Sequence, residues 1–138
     1  MTQEDKELLL KDICARLPYE IKVSVDNKHW CDFHKDIPVK LTLENTYRIL
    51  LGVSLGYVKP YLFPLSSMTE EQKLEIKSLC DGTEIFDDGG WMSYISILGS
   101  FNFEINLAVV DWYNKNHFDY RGLIPMGLAN DATGLNIY

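Results

Sequence analysis

The sequence predicts an α+β fold: a small antiparallel sheet of three to four strands with about three helices packed on it. Two observations carry this prediction. Apolar residues recur at helical spacing near the beginning and the end of the chain, and they alternate with polar residues over short runs in between. A chain of 138 residues, 46% of them apolar, can bury a core without disulfides or metal ions. We therefore expect residues 1–138 to form a single domain.

The first element is predicted to be a helix that ends at about Leu17. Thr2 can cap its first turn, and acidic residues follow where the positive end of a helix favours them. Leu9, Ile13 and Leu17 then recur on one face. Pro18 stops the helix, because proline lacks the N–H that a further turn would need.

Three strands are predicted next, over residues 21–25, 39–43 and 47–57. In the first two, every second residue is apolar, as expected of a strand with one buried face. In the third, the odd-numbered positions are apolar and small residues stand between several of them, the apolar residues being Ile49, Leu51, Val53, Leu55 and Tyr57. Short polar turns between these runs favour an antiparallel meander.

The segment Lys59–Leu65 is predicted to be an extended connector, because Pro60 and Pro64 oppose helix formation on either side of them. It carries three large apolar side chains. We therefore expect this connector to be held across the core.

Two further helices are predicted downstream. Thr69 and Gln72 have the spacing of a capping box at the start of one of them. Ser100 or Asn102 caps the other, which is apolar on two neighbouring faces and so belongs in the core. Residues 83–99 are interpreted as a strand, although a short buried helix fits the same apolar run, and both interpretations stay open.

Charge and cysteine content exclude several classes of protein. The formal net charge is −7 and no cluster of lysine and arginine is present, which argues against direct binding to nucleic acid or to an anionic membrane. The three cysteines, Cys14, Cys31 and Cys80, are odd in number and widely spaced, so we expect buried free thiols. A charged N-terminal stretch and the lack of a long apolar run predict a cytoplasmic protein.

One cluster of possible metal ligands is present in the sequence. His29, Cys31, His34 and Asp36 fall within eight residues, and all four side-chain types bind zinc. Zinc sites usually combine two separated ligand pairs, and no second pair is found here. A polar loop anchored by aromatic residues is the competing interpretation. We predict no metal and no cofactor.

The stretch from residue 111 to residue 124 is the richest in chemically active side chains. His117 and Asp119 could form an acid–base pair, with Tyr113, Tyr120 and Arg121 nearby. The competing interpretation is structural: a histidine suits a helix end, and an aspartate suits the cap of a following turn. Since no nucleophile motif or glycine-rich phosphate loop accompanies the pair, the sequence favours the structural role.

Aromatic side chains provide a third candidate site. Tyrosine and tryptophan dominate the energetically important parts of protein interfaces, although scattered aromatics also pack cores. Six aromatic residues are expected to be exposed: Trp30, Tyr47, Tyr57, Tyr61, Tyr113 and Tyr138. The predicted binding residues come from this set, from the Lys59–Leu65 connector and from the 111–124 stretch; they are Tyr61, Phe63, Tyr113, His117, Asp119, Tyr120 and Arg121.

Four blocks of sequence carry a resemblance to a known family. These are DICARLPY (residues 12–19), KPYLFPLSSMTEE (59–71), NKNHFDYRGLIPMGLA (114–129) and DATGLNIY (131–138). On these blocks the chain resembles a family of small proteins of gut Bacteroidales genomes and their phages or prophages. No activity is attached to that family, so no catalytic residue is transferred. The resemblance implies a cytosolic accessory protein of mobile-element origin.

The sequence thus leads to three hypotheses of function. The first is a non-enzymatic interaction or regulatory module that presents the His117–Arg121 corner and the Lys59–Leu65 connector to another protein. The second is a small enzyme that uses His117 and Asp119. The third is an acidic inhibitor that mimics DNA, which the net charge suggests.

Overall fold

The computed structural model describes residues 1–26, 37–42, 44–79 and 103–138, with side chains from residue 107 onward in the last range. Within these ranges the helices are α1 (Gln3–Arg16), α2 (Thr46–Leu55), α3 (Glu70–Leu79) and α4 (Phe103–Lys115). The strands are β1 (Lys22–Val25), β2 (Val39–Lys40), β3 (Val58–Leu62) and β4 (Asn130–Asp131). The element predicted at 83–99 and the candidate metal ligands His29, Cys31, His34 and Asp36 lie outside the described residues.

The described strands form one sheet in the order β2-β1-β3-β4. β1 pairs antiparallel with both β2 and β3, and Ser24 lies opposite Lys59 in the second pairing. β4 pairs parallel with β3, with Tyr61 opposite Asn130. The predicted α+β class, with a small sheet and a few helices, is confirmed. The sheet is mixed rather than wholly antiparallel, because β4 approaches from the segment after α4 and not through a hairpin.

α1 has the predicted bounds. Thr2 Oγ1 accepts the Asp5 N–H and the Asp5 carboxylate accepts the Thr2 N–H, which makes a reciprocal capping box. The helix ends at Arg16, just before Pro18. Cys14 was expected to be a buried thiol, but its thiol is free and exposed on the solvent side of the helix.

The strand predicted over residues 47–57 is wrong, because this segment forms helix α2. Ile49 and Val53, one turn apart, are fully buried and face the core. Their neighbours Leu51 and Leu55 are also one turn apart, on the opposite face. Two apolar rows of this kind give the same alternation in sequence as a strand does.

The end of α2 explains why the chain turns there. Gly56 has a φ of 82°, and its N–H donates to the Val53 carbonyl at 3.0 Å. The Tyr57 N–H donates to the Gly52 carbonyl at 2.9 Å. These two bonds define a Schellman motif, with glycine at the left-handed position that disfavours other residues.

The segment predicted to be a connector is in fact strand β3. Val58, Pro60 and Leu62 are buried and alternate with half-buried residues. Pro60 lies opposite Val23 of β1. Proline is rare inside sheets, and this is why the sequence pattern indicated a connector. The extended conformation was correct, but its place within the sheet was not.

Two groups of buried side chains make up the core. The first lies between the sheet, α1 and α2 and includes Leu9, Ile13, Val23, Val53 and Leu123. The second joins α3 to α4 and consists of Met68, Ile76, Val109, Tyr113, Phe118 and Tyr120. The chain just after α4 contributes to both groups, so it joins the two halves of the core. Among the helices that the structure describes, none is long and apolar enough to cross a lipid bilayer.

Candidate functional site

The corner (residues 117–121) follows α4, and the turn that leads into it is a second Schellman motif. The His117 N–H donates to the Asn114 carbonyl at 3.3 Å, and the Phe118 N–H donates to the Tyr113 carbonyl at 3.0 Å. The Phe118 and Tyr113 rings are in edge contact, as the hydrophobic residues of this motif commonly are. His117 occupies the left-handed position, with a φ of 59°. The fold therefore places a histidine where α2 has a glycine.

The guanidinium group of Arg16, at the end of α1, binds backbone carbonyls at the end of α4 and in the corner. Its Nε and Nη2 donate to the two carboxylate oxygens of Asp12 at 2.8 and 3.1 Å. Nη2 also donates to the Phe118 carbonyl at 2.8 Å, and Nη1 donates to the Tyr113 carbonyl at 3.3 Å. Asp12 and Arg16 are both fully buried. One guanidinium group thus ties α1 to the end of α4.

The Asp12 carboxylate is shared with a second arginine. Arg121 Nε donates to Asp12 Oδ1 at 3.1 Å. Both guanidinium groups lie over the Tyr120 ring, with Arg16 Cζ 5.3 Å and Arg121 Cζ 4.8 Å from its centroid. Sequence reasoning included Tyr120 and Arg121 but missed Asp12 and Arg16. Their spacing of four residues was the available signal, and it does not distinguish a buried pair from an exposed one.

Asp119 caps the turn that follows the corner. Its two carboxylate oxygens accept the N–H groups of Leu123 and Ile124, each at 2.8 Å. Its own N–H donates to the Phe63 carbonyl at 2.8 Å, and the Phe63 N–H donates to the His117 carbonyl at 2.9 Å. No hydrogen bond joins Asp119 to the His117 side chain. The geometry of an acid–base dyad is therefore not formed.

Replacing Asp119 with alanine is expected to lower the free energy of unfolding by about 1–2 kcal/mol, because two backbone N–H groups lose a charged acceptor. Asp119→Asn retains one acceptor oxygen and should lose less. Urea denaturation of the three proteins measures the difference. An Asp119→Ala protein as stable as the wild type would show that the carboxylate does not hold this turn.

His117 is 8% exposed, and its Nδ1 forms no hydrogen bond with any residue that the structure describes. Its ring stacks on Tyr138, with centroids 3.8 Å apart. The Tyr138 hydroxyl donates to the Tyr61 carbonyl at 2.8 Å and accepts the Lys22 N–H at 3.0 Å. Burial, with the positive charges of Arg16 and Lys22, lowers the pKa of His117 to about 4. The imidazole is therefore neutral at pH 7.

A cleft of about 420 Å³ opens beside His117. Its walls come from the start of α3, the corner and the C-terminal segment, and they combine aromatic rings with polar groups; the residues lining it are Phe63, Ser67, Thr69, Gln72, Lys115, Asn116, His117, Phe118 and Tyr138. Two of these, Phe63 and His117, are among the predicted binding residues. The volume is in the range of small-molecule sites.

The other predicted binding residues do not line the cleft beside His117. Tyr113 was expected to be exposed, but it is fully buried in the group of side chains that joins α3 to α4. Asp119 and Tyr120 are also buried. Tyr61 lines a separate cleft of about 650 Å³ over the edge of the sheet. Among the described residues, no group of three or more His, Cys, Asp or Glu side chains is arranged to hold a metal ion.

A different surface, on α2, carries three of the exposed large apolar side chains. Tyr47, Leu51 and Leu55 of α2 are 78%, 45% and 52% exposed and lie at intervals of four residues, so they form one row on the helix. We call this row the α2 ridge. The sequence predicted exposure for Tyr47 but not for the two leucines, which a strand would have buried.

Comparisons of this chain with protein-family models, with curated proteins and with solved structures gave no match.

Proposed function

We propose that this protein is a non-enzymatic interaction module that docks an apolar helix of another protein on the α2 ridge. The observation that carries the proposal is the exposure of three large apolar side chains in one row of a well-packed helix. Apolar surface in contact with water has an unfavourable free energy that burial against a partner removes. A contiguous exposed row of this kind typically marks a protein interaction site.

The shape of the ridge supports a helical partner. Rows of side chains four residues apart are the ridges that fit into the grooves of a neighbouring helix. From Tyr47 to Leu55 the ridge is about 12 Å long at the helical rise per residue. That length matches the reach of an amphipathic helix that anchors through two or three side chains.

The charge of the ridge indicates which helix would fit. Arg48 is the only charged residue within α2, and the exposed residue between Leu51 and Leu55 in the sequence is Ser54. Its small side chain allows a partner backbone to approach closely. The three side chains of the ridge carry no charge, so an apolar partner face is favoured over a charged one, which would lose its hydration against them.

The corner is not the docking surface in this proposal. Its residues His117, Asp119 and Tyr120 are buried, and its Phe118 carbonyl accepts a hydrogen bond from Arg16. The acid–base alternative is not favoured either, since Asp119 is committed to backbone N–H groups. The family resemblance supports a mobile-element origin, and we include that origin in the proposal.

Replacing Leu51 with glutamate is expected to abolish partner binding with little change in stability. The side chain lies in the middle of the ridge, so a carboxylate there would be desolvated on docking and should weaken binding more than tenfold. Affinity purification with the wild type and the variant, followed by calorimetry with the purified partner, measures the effect.

Leu74→Glu on α3 is the matched control, because Leu74 is 64% exposed on another helix. The control should retain the partner that Leu51→Glu loses. A partner lost equally from both variants would contradict docking at the ridge. So would light-scattering data showing a homodimer that Leu51→Glu dissociates, since the ridge would then be occupied by a second copy of this chain.

A further inference from the structure

His117 has three unfavourable features that the described contacts do not offset. Its φ of 59° is a conformation in which a side chain is disfavoured. Its Nδ1 is fully buried and has no hydrogen-bond partner among the residues that the structure describes. The charges of Arg16 and Lys22 act on its ring, which therefore cannot gain stability by taking up a proton. Only the stacking on Tyr138 opposes these costs.

Comparison with α2 shows that the turn itself does not need an imidazole. The same Schellman motif is formed there by Gly56, with equivalent backbone hydrogen bonds. Glycine takes the left-handed conformation without strain. The backbone conformation at position 117 thus does not require a histidine, and the neighbouring described residues leave its Nδ1 without a hydrogen bond. Costs of this kind are commonly retained at functional sites.

The cleft beside the ring contains further donors that form no hydrogen bond or ion pair within the described part of the chain. Lys115 forms no ion pair with any described residue and lies on the rim. Gln72 uses its Oε1 to accept the Thr69 N–H at 2.9 Å, which leaves its amide N–H groups available. Because Nδ1 is shielded and has no acceptor, the proton of the neutral ring belongs on Nε2. The cleft therefore offers a cation and neutral N–H donors.

The walls of the cleft are aromatic. Phe63 lies between two other rings, with centroids 6.1 Å from Phe118 and 5.8 Å from Tyr138. Ring faces and edges at these separations accept a flat apolar group in offset or edge-on contact. Polar donors on one side and rings on the other match a molecule with a charged end and a flat body.

We propose that this cleft binds a small aromatic carboxylate. The carboxylate receives hydrogen bonds from Lys115, the Gln72 amide and His117 Nε2, and the ring packs against Phe63 and Tyr138. The nearby positive charges of Arg16 and Lys22 favour an anion over a neutral molecule of the same shape. This site is separate from the α2 ridge, so the two proposals are tested independently.

Titration of the purified chain with benzoate at pH 7 tests the inference. We expect saturable shifts of the His117 ring resonances in NMR spectra, together with binding heat in calorimetry. Benzamide has the same shape without the charge and should bind at least about tenfold more weakly, as expected when charge-assisted hydrogen bonds are lost. Inorganic phosphate, which has no ring, should also bind more weakly than benzoate.

Three variants assign the binding to the cleft. Lys115→Ala changes an exposed side chain and should weaken benzoate binding at least about fivefold. Lys77→Ala, in the last turn of α3 and outside the cleft lining, should leave the affinity unchanged. His117→Gly should lose binding while its melting temperature stays within about 5 °C of the wild type, because glycine suits this turn. Leu51→Glu should bind benzoate normally.

Several results would overturn the inference. Equal affinity for benzamide, or for phosphate, would show that the charge or the ring is not recognised. A large loss of stability in His117→Gly would show that the imidazole has a structural role. Absence of any His117 shift at millimolar benzoate, or an unchanged affinity in Lys115→Ala, would mean that the cleft is not a site for this class of ligand.

Discussion

Replacing Arg16 with methionine is expected to lower the free energy of unfolding by about 3–5 kcal/mol, the largest effect that we expect from a single substitution. Arg16 is fully buried and makes four hydrogen bonds, two to Asp12 and two to the backbone carbonyls of Tyr113 and Phe118. Methionine fills similar space but makes none of these bonds. The variant leaves a buried carboxylate with Arg121 as its remaining ion-pair partner among the described residues.

The cost comes mainly from the charge left behind rather than from the attraction that is lost. Removing one member of a buried ion pair leaves the other desolvated, whereas removing both with apolar groups is often tolerated. The double variant Asp12→Leu with Arg16→Met should therefore lose less stability than the sum of the two single variants. Urea denaturation of all four proteins gives this coupling energy directly.

Lys11→Met is the control for the loss of a positive charge from α1. Lys11 is exposed on the same helix, so its substitution should change stability by less than about 0.5 kcal/mol. If Arg16→Met were no more destabilising than Lys11→Met, the interpretation of Arg16 as the tie between α1 and the corner would be wrong.

Elements with strong local signals were predictable from the sequence. Thr69 and Gln72 form the expected reciprocal capping box, with the Gln72 N–H donating to Thr69 Oγ1 at 3.2 Å. Pro18 ends α1 as expected. In both cases the deciding interaction lies within a few residues of the chain, so no knowledge of the tertiary structure was required.

α2 was mispredicted as a strand because both its buried face and its exposed face carry large apolar residues. Ile49 and Val53 pack on the sheet while Leu51 and Leu55 face outward, so apolar residues occupy alternate positions for two unrelated reasons. A helix with one apolar face would not have given this pattern. Gly56 was the signal that could have corrected it, since glycine follows the last residue of many helices.

The chemistry of the corner was predictable only in part. The turn and the capping role of Asp119 follow from local sequence. The burial of Asp12 and Arg16 does not, because it depends on α4 arriving from about a hundred positions further along the chain. The same long-range packing shields His117, whose residue type alone would indicate an ordinary titratable side chain.

That shielding gives a pH dependence of stability with a definite sign. His117 has a pKa of about 4 in the folded protein, against an ordinary value of 6.5. Above pH 6.5 both folded and unfolded chains carry a neutral ring, and the residue makes no pH-dependent contribution. As the pH falls from 6.5 to 4, the unfolded chain takes up a proton that the folded chain does not, so stability decreases. Below pH 4 this contribution no longer changes.

The full decrease is up to about 3.5 kcal/mol, since each pH unit between the two pKa values is worth about 1.4 kcal/mol. Solvent near the cleft screens the ring and reduces the expected loss to about 2 kcal/mol. Urea denaturation from about pH 7.5 to about pH 4 measures this loss of stability in the wild type and in His117→Gly. The carboxylates titrate in both proteins, so the difference between the two curves isolates His117.

The contribution of Lys22 to the lowered pKa of His117 can be tested by NMR titration. Burial is the largest cause of the lowered pKa, followed by the charge of Arg16 and then by that of Lys22. Lys22→Met removes only the last of these and should raise the NMR titration midpoint of the His117 ring without restoring it to 6.5. A wild-type midpoint already near 6.5 would mean that the ring is open to water. In that case neither the pH dependence nor the neutral donor assigned to the cleft would hold, because both follow from the same buried imidazole.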